Sequence, residues 1–290
     1  MADYMIRGTA ANGEIRFFGT RSTDLVEKAR KIHGTSPVVT AALGRLLTAT
    51  VMMGSMMKSE EDRITVNING DGPIGAICVT ADSIGHVKGF VRNPLVILPA
   101  NEKHKLDVSG AVGHGILNVI RDTGMKEPYN SSVDIVSGEI AEDITYYFAT
   151  SEQVPSSVGL GVLMDKANFV KVAGGFIIQL MPGVKEETIS ALEKNLTGVD
   201  SVTNMLLEYE TPEKMCEFLL RDLEPVVNDN MPVSFACDCS EQKVLDAITG
   251  MGETEILSLI KEGQDVETSC RFCGKKFSFT PKRLKEYFKL

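Results

Sequence analysis

Four of the six cysteines in this 290-residue chain fall in its last fifth, Cys237 and Cys239 in FACDCSE and Cys270 and Cys273 in TSCRFCGKK. A C-x-C pair and a C-x-x-C pair separated by thirty residues put four soft donors on two short knuckles. That is the arrangement tetrahedral Zn²⁺ takes, with each sulfur about 2.3 Å from the metal. None of the four histidines (His33, His86, His104 and His114) lies in this part of the chain. The expected ligand set is therefore all cysteine and closed, holding one zinc per chain with no open position for a substrate. Turnover chemistry is not expected there. Cys78, in an apolar strand, and Cys216, on a helix, read as small buried hydrophobes rather than ligands.

Fewer than sixty residues surround these four thiols, too few for a self-sufficient core, so a staple is expected. Zinc contributes roughly 10 to 16 kcal/mol of apparent folding free energy to modules of this kind. It also keeps the sulfurs as thiolates at neutral pH, although a free thiol with a pKa of about 8.5 is mostly protonated, and thiolate is the form that peroxide or hypochlorous acid attacks. Three readings follow from the residues. One is a zinc ribbon that only holds its module together, as in an adaptor for a partner or nucleic acid. Another is a redox switch, to which the unusual C-x-C knuckle draws attention. The third is a thiol oxidoreductase acting through Cys270 and Cys273, which needs a thioredoxin-like βαβ setting that the flanking pattern does not offer.

The rest of the chain must position these groups. Apolar residues make up 43% and charged residues 24%, with no Trp, so a globular protein packed with aliphatic side chains is expected. A net charge of −9 argues against a general nucleic-acid binder or an anionic-membrane binder, both of which need a basic face. The start, MADYMIRGTA, lacks the apolar core of a secretory signal, and a soluble cytoplasmic protein is expected. The closest approach to a membrane span, SPVVTAALGRLLTATVMMGSMM, contains Arg45 and opens with Ser36 and Pro37, the residue types of a helix N-cap and first turn. It reads as a buried helix, with Met52, Met53, Met56 and Met57 as core.

Residues 1–182 are expected to form an α+β core. Strand patterns recur in EIRFFGT, RITVNIN, GAICVTAD, HVKGFV, GILNVIRD, SSVDIVSG, VGLGVLM and GFIIQLM, with a tight hairpin at NGDGPIG. A second helix is expected in GEIAEDITYYFATSEQ, where Ile140, Ile144, Tyr147 and Phe148 share a face. Many strands with few helices between them predict a mixed or antiparallel sheet with packed helices. Residues 183–232 carry eleven acidic against four basic side chains, a net charge of −7, with apolar residues at helical spacing and a helix start at Thr211 and Pro212. This segment predicts an acidic helical linker whose short helices hold only while something receives their apolar faces. Residues 233–290 form the terminal module, with a helix capped by Ser240, a second around ETEILSLIKEG and a KKFSFT strand.

The stretches HGTSPVVTAALGRLLTATVMMG, GHVKGFV, EIAEDITYYFATSEQVPSSVGLGV, FACDCSE and CRFCGKKF resemble the heat-shock protein 33 family of redox-regulated chaperones, over nearly the whole length. The resemblance implies a cytosolic, ATP-independent holdase that binds unfolding client proteins, is inactive while reduced and zinc-bound, and dimerises when active. It also implies that Cys237, Cys239, Cys270 and Cys273 are both ligands and oxidised thiols, pairing as Cys237–Cys239 and Cys270–Cys273, while the linker unfolds to expose client-binding surface. Such neighbour bridges close loops of only a few residues. A metal clip from 237 to 273 constrains a longer loop, worth on the order of 4 kcal/mol in the chain-entropy picture, which local bridges do not recover.

Overall fold

Along VKVAGGFIIQL, alternate side chains point to opposite faces of a strand, and both faces are apolar; this period of two sets the architecture of the N-terminal part. The computed structural model describes residues 2–199 and 201–288. Among these the chain forms two compact units, the first ending at Ala236 and the second beginning at Cys237.

The first unit runs β1 (Tyr4–Ala10), β2 (Ile15–Arg21), α1 (Thr23–His33), α2 (Pro37–Gly54), β3 (Arg63–Gly70), β4 (Ala76–Asp82), β5 (His86–Val91), α3 (Val108–Val112), β6 (Gly115–Asp122), β7 (Tyr129–Asp134), α4 (Ala141–Thr150), β8 (Ser156–Met164) and β9 (Val170–Leu180). It continues through α5 (Glu186–Thr197), α6 (Val202–Tyr209), α7 (Pro212–Leu219), β10 (Val226–Pro232) and β11 (Ser234–Phe235). One sheet has the order β10-β1-β2-β9-β8 and the other β11-β5-β4-β3-β6-β7; only the β11–β5 pairing is parallel. The fold is α+β. The turn at 71–75 closes the β3–β4 hairpin with Asn69 opposite Ala76.

Helix α2 packs on strands of both sheets and forms the centre of the larger core with Met5, Phe18 and Ile177 from one and Ile64, Val66 and Ile77 from the other. It is long and apolar enough to cross a bilayer, but 89% of it is buried inside this unit, which accounts for its apolarity. Ser36 holds the N-cap position without capping; its hydroxyl bonds to the Val96 carbonyl instead. Met52 and Met53 are fully buried, and Met56 and Met57 pack at the margin. The opposite face of the five-stranded sheet carries Ile6, Ile15, Phe17, Val172, Phe176 and Ile178, which form a second core with α5, α6 and α7.

Some elements differ from the sequence pattern. The strand read at 131–138 ends at Asp134, because the Asp143 carboxylate accepts the N–H groups of Val136, Ser137 and Ile140 and turns that backbone into the entry of α4. Helix α1 follows the Arg21 end of β2 without any turn signal strong enough to mark it.

Asp3 ties β1 to α1: it is buried, and its Oδ2 accepts the Leu25 N–H at 2.7 Å. Burial, opposed by that hydrogen bond, pushes its carboxyl up to about 6. The folded value lies above the roughly 3.9 of an unfolded aspartate, so the protonated form favours the fold. That contribution is complete below about pH 4 and is lost as the pH rises through 6. Asp3→Asn should therefore remove a decline on the order of 3 kcal/mol between pH 4 and 7, read from urea midpoints at each pH.

The second unit holds α8 (Glu241–Thr249), α9 (Glu253–Glu262), the antiparallel hairpin of β12 (Val266–Ser269) and β13 (Lys276–Phe279), and α10 (Pro281–Phe288). Its core consists of Leu245, Ile248, Ile256, Ile260, Phe279 and Leu284.

Candidate metal centre

Each cysteine pair is presented by a different local structure. Cys270 and Cys273 occupy the turn of the β12–β13 hairpin, where the Cys270 N–H donates to Lys275 at 2.9 Å and the Gly274 N–H donates to Cys270 at 2.8 Å. Gly274 has φ +71°, the left-handed conformation that brings the chain back onto β13. Cys237 and Cys239 lie on the extended stretch before α8, which is fixed by Ser240: its hydroxyl accepts the Lys243 N–H at 3.2 Å as an N-cap. Asp238 and Lys243 pair across the same turn.

The two knuckles bring all four Sγ atoms within 4.8 Å of one another. Cys237 and Cys270 are 3.7 Å apart, and Cys239 and Cys273 are 3.4 Å apart. Four sulfurs each about 2.3 Å from a central ion sit about 3.8 Å from one another, so the donor set has the size and chemistry for a tetrahedral thiolate-bound metal. Among the described residues no other group of histidine, cysteine or carboxylate side chains gathers in this way.

Burial, ahead of hydrogen bonding with the neighbouring thiols, pushes Cys237 up to about 12, and burial likewise raises Cys239. Burial acts in the same direction on Cys270, but the N–H groups of Cys273 and Phe272 and the thiols of Cys237 and Cys273 outweigh it and hold Cys270 below the ordinary thiol range.

The other two cysteines belong to the first unit and are not part of this cluster. Cys78 stands on β4, and burial pushes its thiol up to about 11. Cys216 is fully buried on α7 and is shifted upward by the same cause. It lies over Gly19, where a Cβ would come within 2.6 Å of its sulfur; the glycine allows α7 to lie flat on β2. His33 is packed, its Nε2 bonded to the Gly89 carbonyl at 2.8 Å and its ring edge-on to Phe235.

The acidic segment finds its partner on the sheet. Leu192 of α5, Met205 and Leu206 of α6, and Met215, Cys216 and Leu219 of α7 are buried against the five-stranded sheet. Thr211 caps α7 through the Lys214 N–H. Sequence periodicity marks α5 and α7; it passes over α6, whose apolar face is only one turn wide. In the second unit, the pattern shows β13 but not its partner β12, in which charged and polar residues fill the exposed edge.

Comparison with known proteins gives a consistent result. The family model described as Hsp33 protein matches residues 3–280. The 33 kDa chaperonin of Agathobacter rectalis is 51% identical over 286 residues, covering 99% of this chain and 99% of that protein. The 33 kDa chaperonin of Caldanaerobacter subterraneus subsp. tengcongensis is 49% identical, covering 100% and 99%. The crystal structure of the 33 kDa chaperonin (heat shock protein 33 homolog) from Thermotoga maritima superposes with a TM-score of 0.90 at 36% identity, covering 100% of this chain and 98% of that one.

Proposed function

The chain belongs to the Hsp33 protein family of chaperones, and from that premise we propose that it is a redox-regulated, ATP-independent holdase that binds unfolding proteins under oxidative stress. The observation that supports this reading is the gathering of four sulfurs from two knuckles thirty residues apart, each knuckle holding two of them. Cys237, Cys239, Cys270 and Cys273 would hold one Zn²⁺ per chain in the reduced state; when bound, the ion supplies charge that keeps the sulfurs as thiolates and links the two knuckles.

Oxidation then acts on the ligands. In each knuckle two thiolates give up two electrons to peroxide or hypochlorous acid and form one S–S bond, Cys237 with Cys239 and Cys270 with Cys273. Neither disulfide can coordinate, so the site is lost together with the long clip from 237 to 273. The core domain (1–182) remains as a stable base, the redox-switch domain (233–290) loosens, and the acidic linker (183–232) supplies the part that lets go. Its helices span only 8 to 12 residues and rely on tertiary packing rather than intrinsic propensity. The apolar sheet face they cover is then available to clients. The protein acts in the cytoplasm, as a homodimer when active, performs no catalysis, and has neither nucleic acid nor membrane as a partner.

The test follows aggregation of a heat-denatured client by light scattering in the presence of the reduced or the oxidised protein, with zinc release measured in the same tube. Peroxide with mild heat should release one zinc per chain, and suppression should rise with it. Full suppression by the reduced, zinc-loaded protein would instead favour a constitutive zinc-ribbon adaptor, and disulfides running between the two knuckles would remove the mechanism.

A further inference from the structure

Strand β8 is an edge: among the described residues β9 pairs with one side and no strand pairs with the other. The Pro155 carbonyl accepts the Leu180 N–H at 3.0 Å, in register with the β8–β9 ladder. Backbone direction alternates along an antiparallel strand, so the odd-numbered residues bond to β9 and the N–H and C=O groups of Val158, Leu160 and Val162 face outward. These outward groups have no partner among the described residues, and open cavities lie along the strand beside them. An unpaired strand edge is a ready template for a further strand. The complementary groups, at the same spacing, are those of an extended polypeptide.

The surroundings fit that shape. Two adjoining cavities of about 620 and 830 Å³ run along β8 from Val158 to Lys166 and share Arg45, Lys105, Leu106, Leu160 and Val202. One wall is the start of α6 at Val202 and Thr203, and the other is α2 at Pro37 and Ala41. The charge is polarised along the trench. Arg45 and Lys105 line both cavities; beyond them, His104 and Lys166 with Asp165 line the Met164 end, whereas Glu102, Asp107, Glu139 and Glu142 with Lys103 line the Val158 end. Arg45 is already paired with Glu139, whereas Lys105 and Lys166 are exposed and have no ion-pair partner among the described residues.

We propose that the β8 edge docks an extended polypeptide segment, which adds as a sixth strand with acidic side chains beside Lys105 and Lys166 and apolar ones over Leu160 and Val162. Continuing the antiparallel order puts the acidic residues at the segment's N-terminal end. The proposal concerns the folded, reduced chain and stands apart from the redox switch.

The probe is a fluorescein-labelled peptide, Glu-Glu-Val-Thr-Val-Thr-Val-Lys-Lys, titrated by anisotropy against the reduced full-length protein. Methylating its alternate backbone nitrogens should weaken binding roughly tenfold or more, since each lost hydrogen bond costs about 0.5–1.5 kcal/mol. Reversing the charge order should weaken it too, and Lys105→Glu with Lys166→Glu should invert that preference. Val162→Pro removes an outward N–H while sparing the bonds to β9, as proline does on edge strands, and should abolish binding. Equal affinity for the methylated peptide, or no binding at millimolar concentration, overturns the proposal. So does a concentration-dependent dimer that Val162→Pro dissolves, which would assign this edge to a second copy of the chain.

Discussion

Removing the metal from the reduced protein should unfold the chain from Cys237 onward and leave the core domain of residues 1–182 folded. The second unit buries six apolar side chains, Leu245, Ile248, Ile256, Ile260, Phe279 and Leu284, across three short helices and a hairpin of two four-residue strands. A segment of this size rarely gains more than a few kcal/mol from its core, whereas a structural zinc contributes roughly 10 to 16 kcal/mol. The first unit has two cores of its own and, among the described residues, no cluster of metal-binding side chains. Chelation, or Cys270→Ser, should therefore abolish the helical signal of α8–α10 and expose residues 237–290 to trypsin, while residues 1–182 stay folded and protease-resistant. Cys78→Ser should leave metal occupancy unchanged, because that thiol stands on β4 of the first unit. A terminal unit that stays protease-resistant without metal would show that its apolar core suffices, and the redox reading would lose its lever.

The candidate site was more legible in the sequence than the fold around it. Cysteine spacing is a local signal, and a knuckle made by a hairpin turn or by the residues before an N-cap needs little from the rest of the chain. The strands of the sheets were visible wherever apolar residues alternate or run continuously, as in Arg63–Gly70 and Val170–Leu180. Three kinds of information were not local. Strands β1 and β10 pair across more than two hundred residues, Tyr4 opposite Pro232, so no pattern in either segment names its partner. The surface that receives α5–α7 alternates within strands whose other face belongs to a different core: Phe17 turns to the helices and Phe18 to α2. The exposed edge of β8 follows from strand order alone, since VGLGVLM reads as a buried strand in any position. Gly19 was legible as a glycine but not as the seat of Cys216, because close approach between elements 197 residues apart has no signature in either neighbourhood.

Freeing the acidic helices without oxidant should make the chain active while it keeps its metal. Met215 is fully buried on α7 against the five-stranded sheet, beside Cys216 and Leu219. Met215→Asp places a carboxylate in that apolar contact with no basic side chain buried beside it, a change of the kind that costs several kcal/mol. The segment already carries a net charge of −7, so a further acid adds repulsion, and helices of 8 to 12 residues do not persist in water once their apolar face is lifted. The core between the sheets does not include Met215, so α2 and its surroundings should hold. The reduced variant is expected to suppress client aggregation about as well as the oxidised wild type, with full zinc occupancy and with fast amide exchange confined to 186–219. Lys214→Ala, at an exposed position on the same helix, should change neither readout. Rapid exchange in α5–α7 without suppression would show that the face bearing Ile6, Phe17, Val172 and Phe176 is not what clients bind; suppression only after zinc loss would place that surface in the second unit instead.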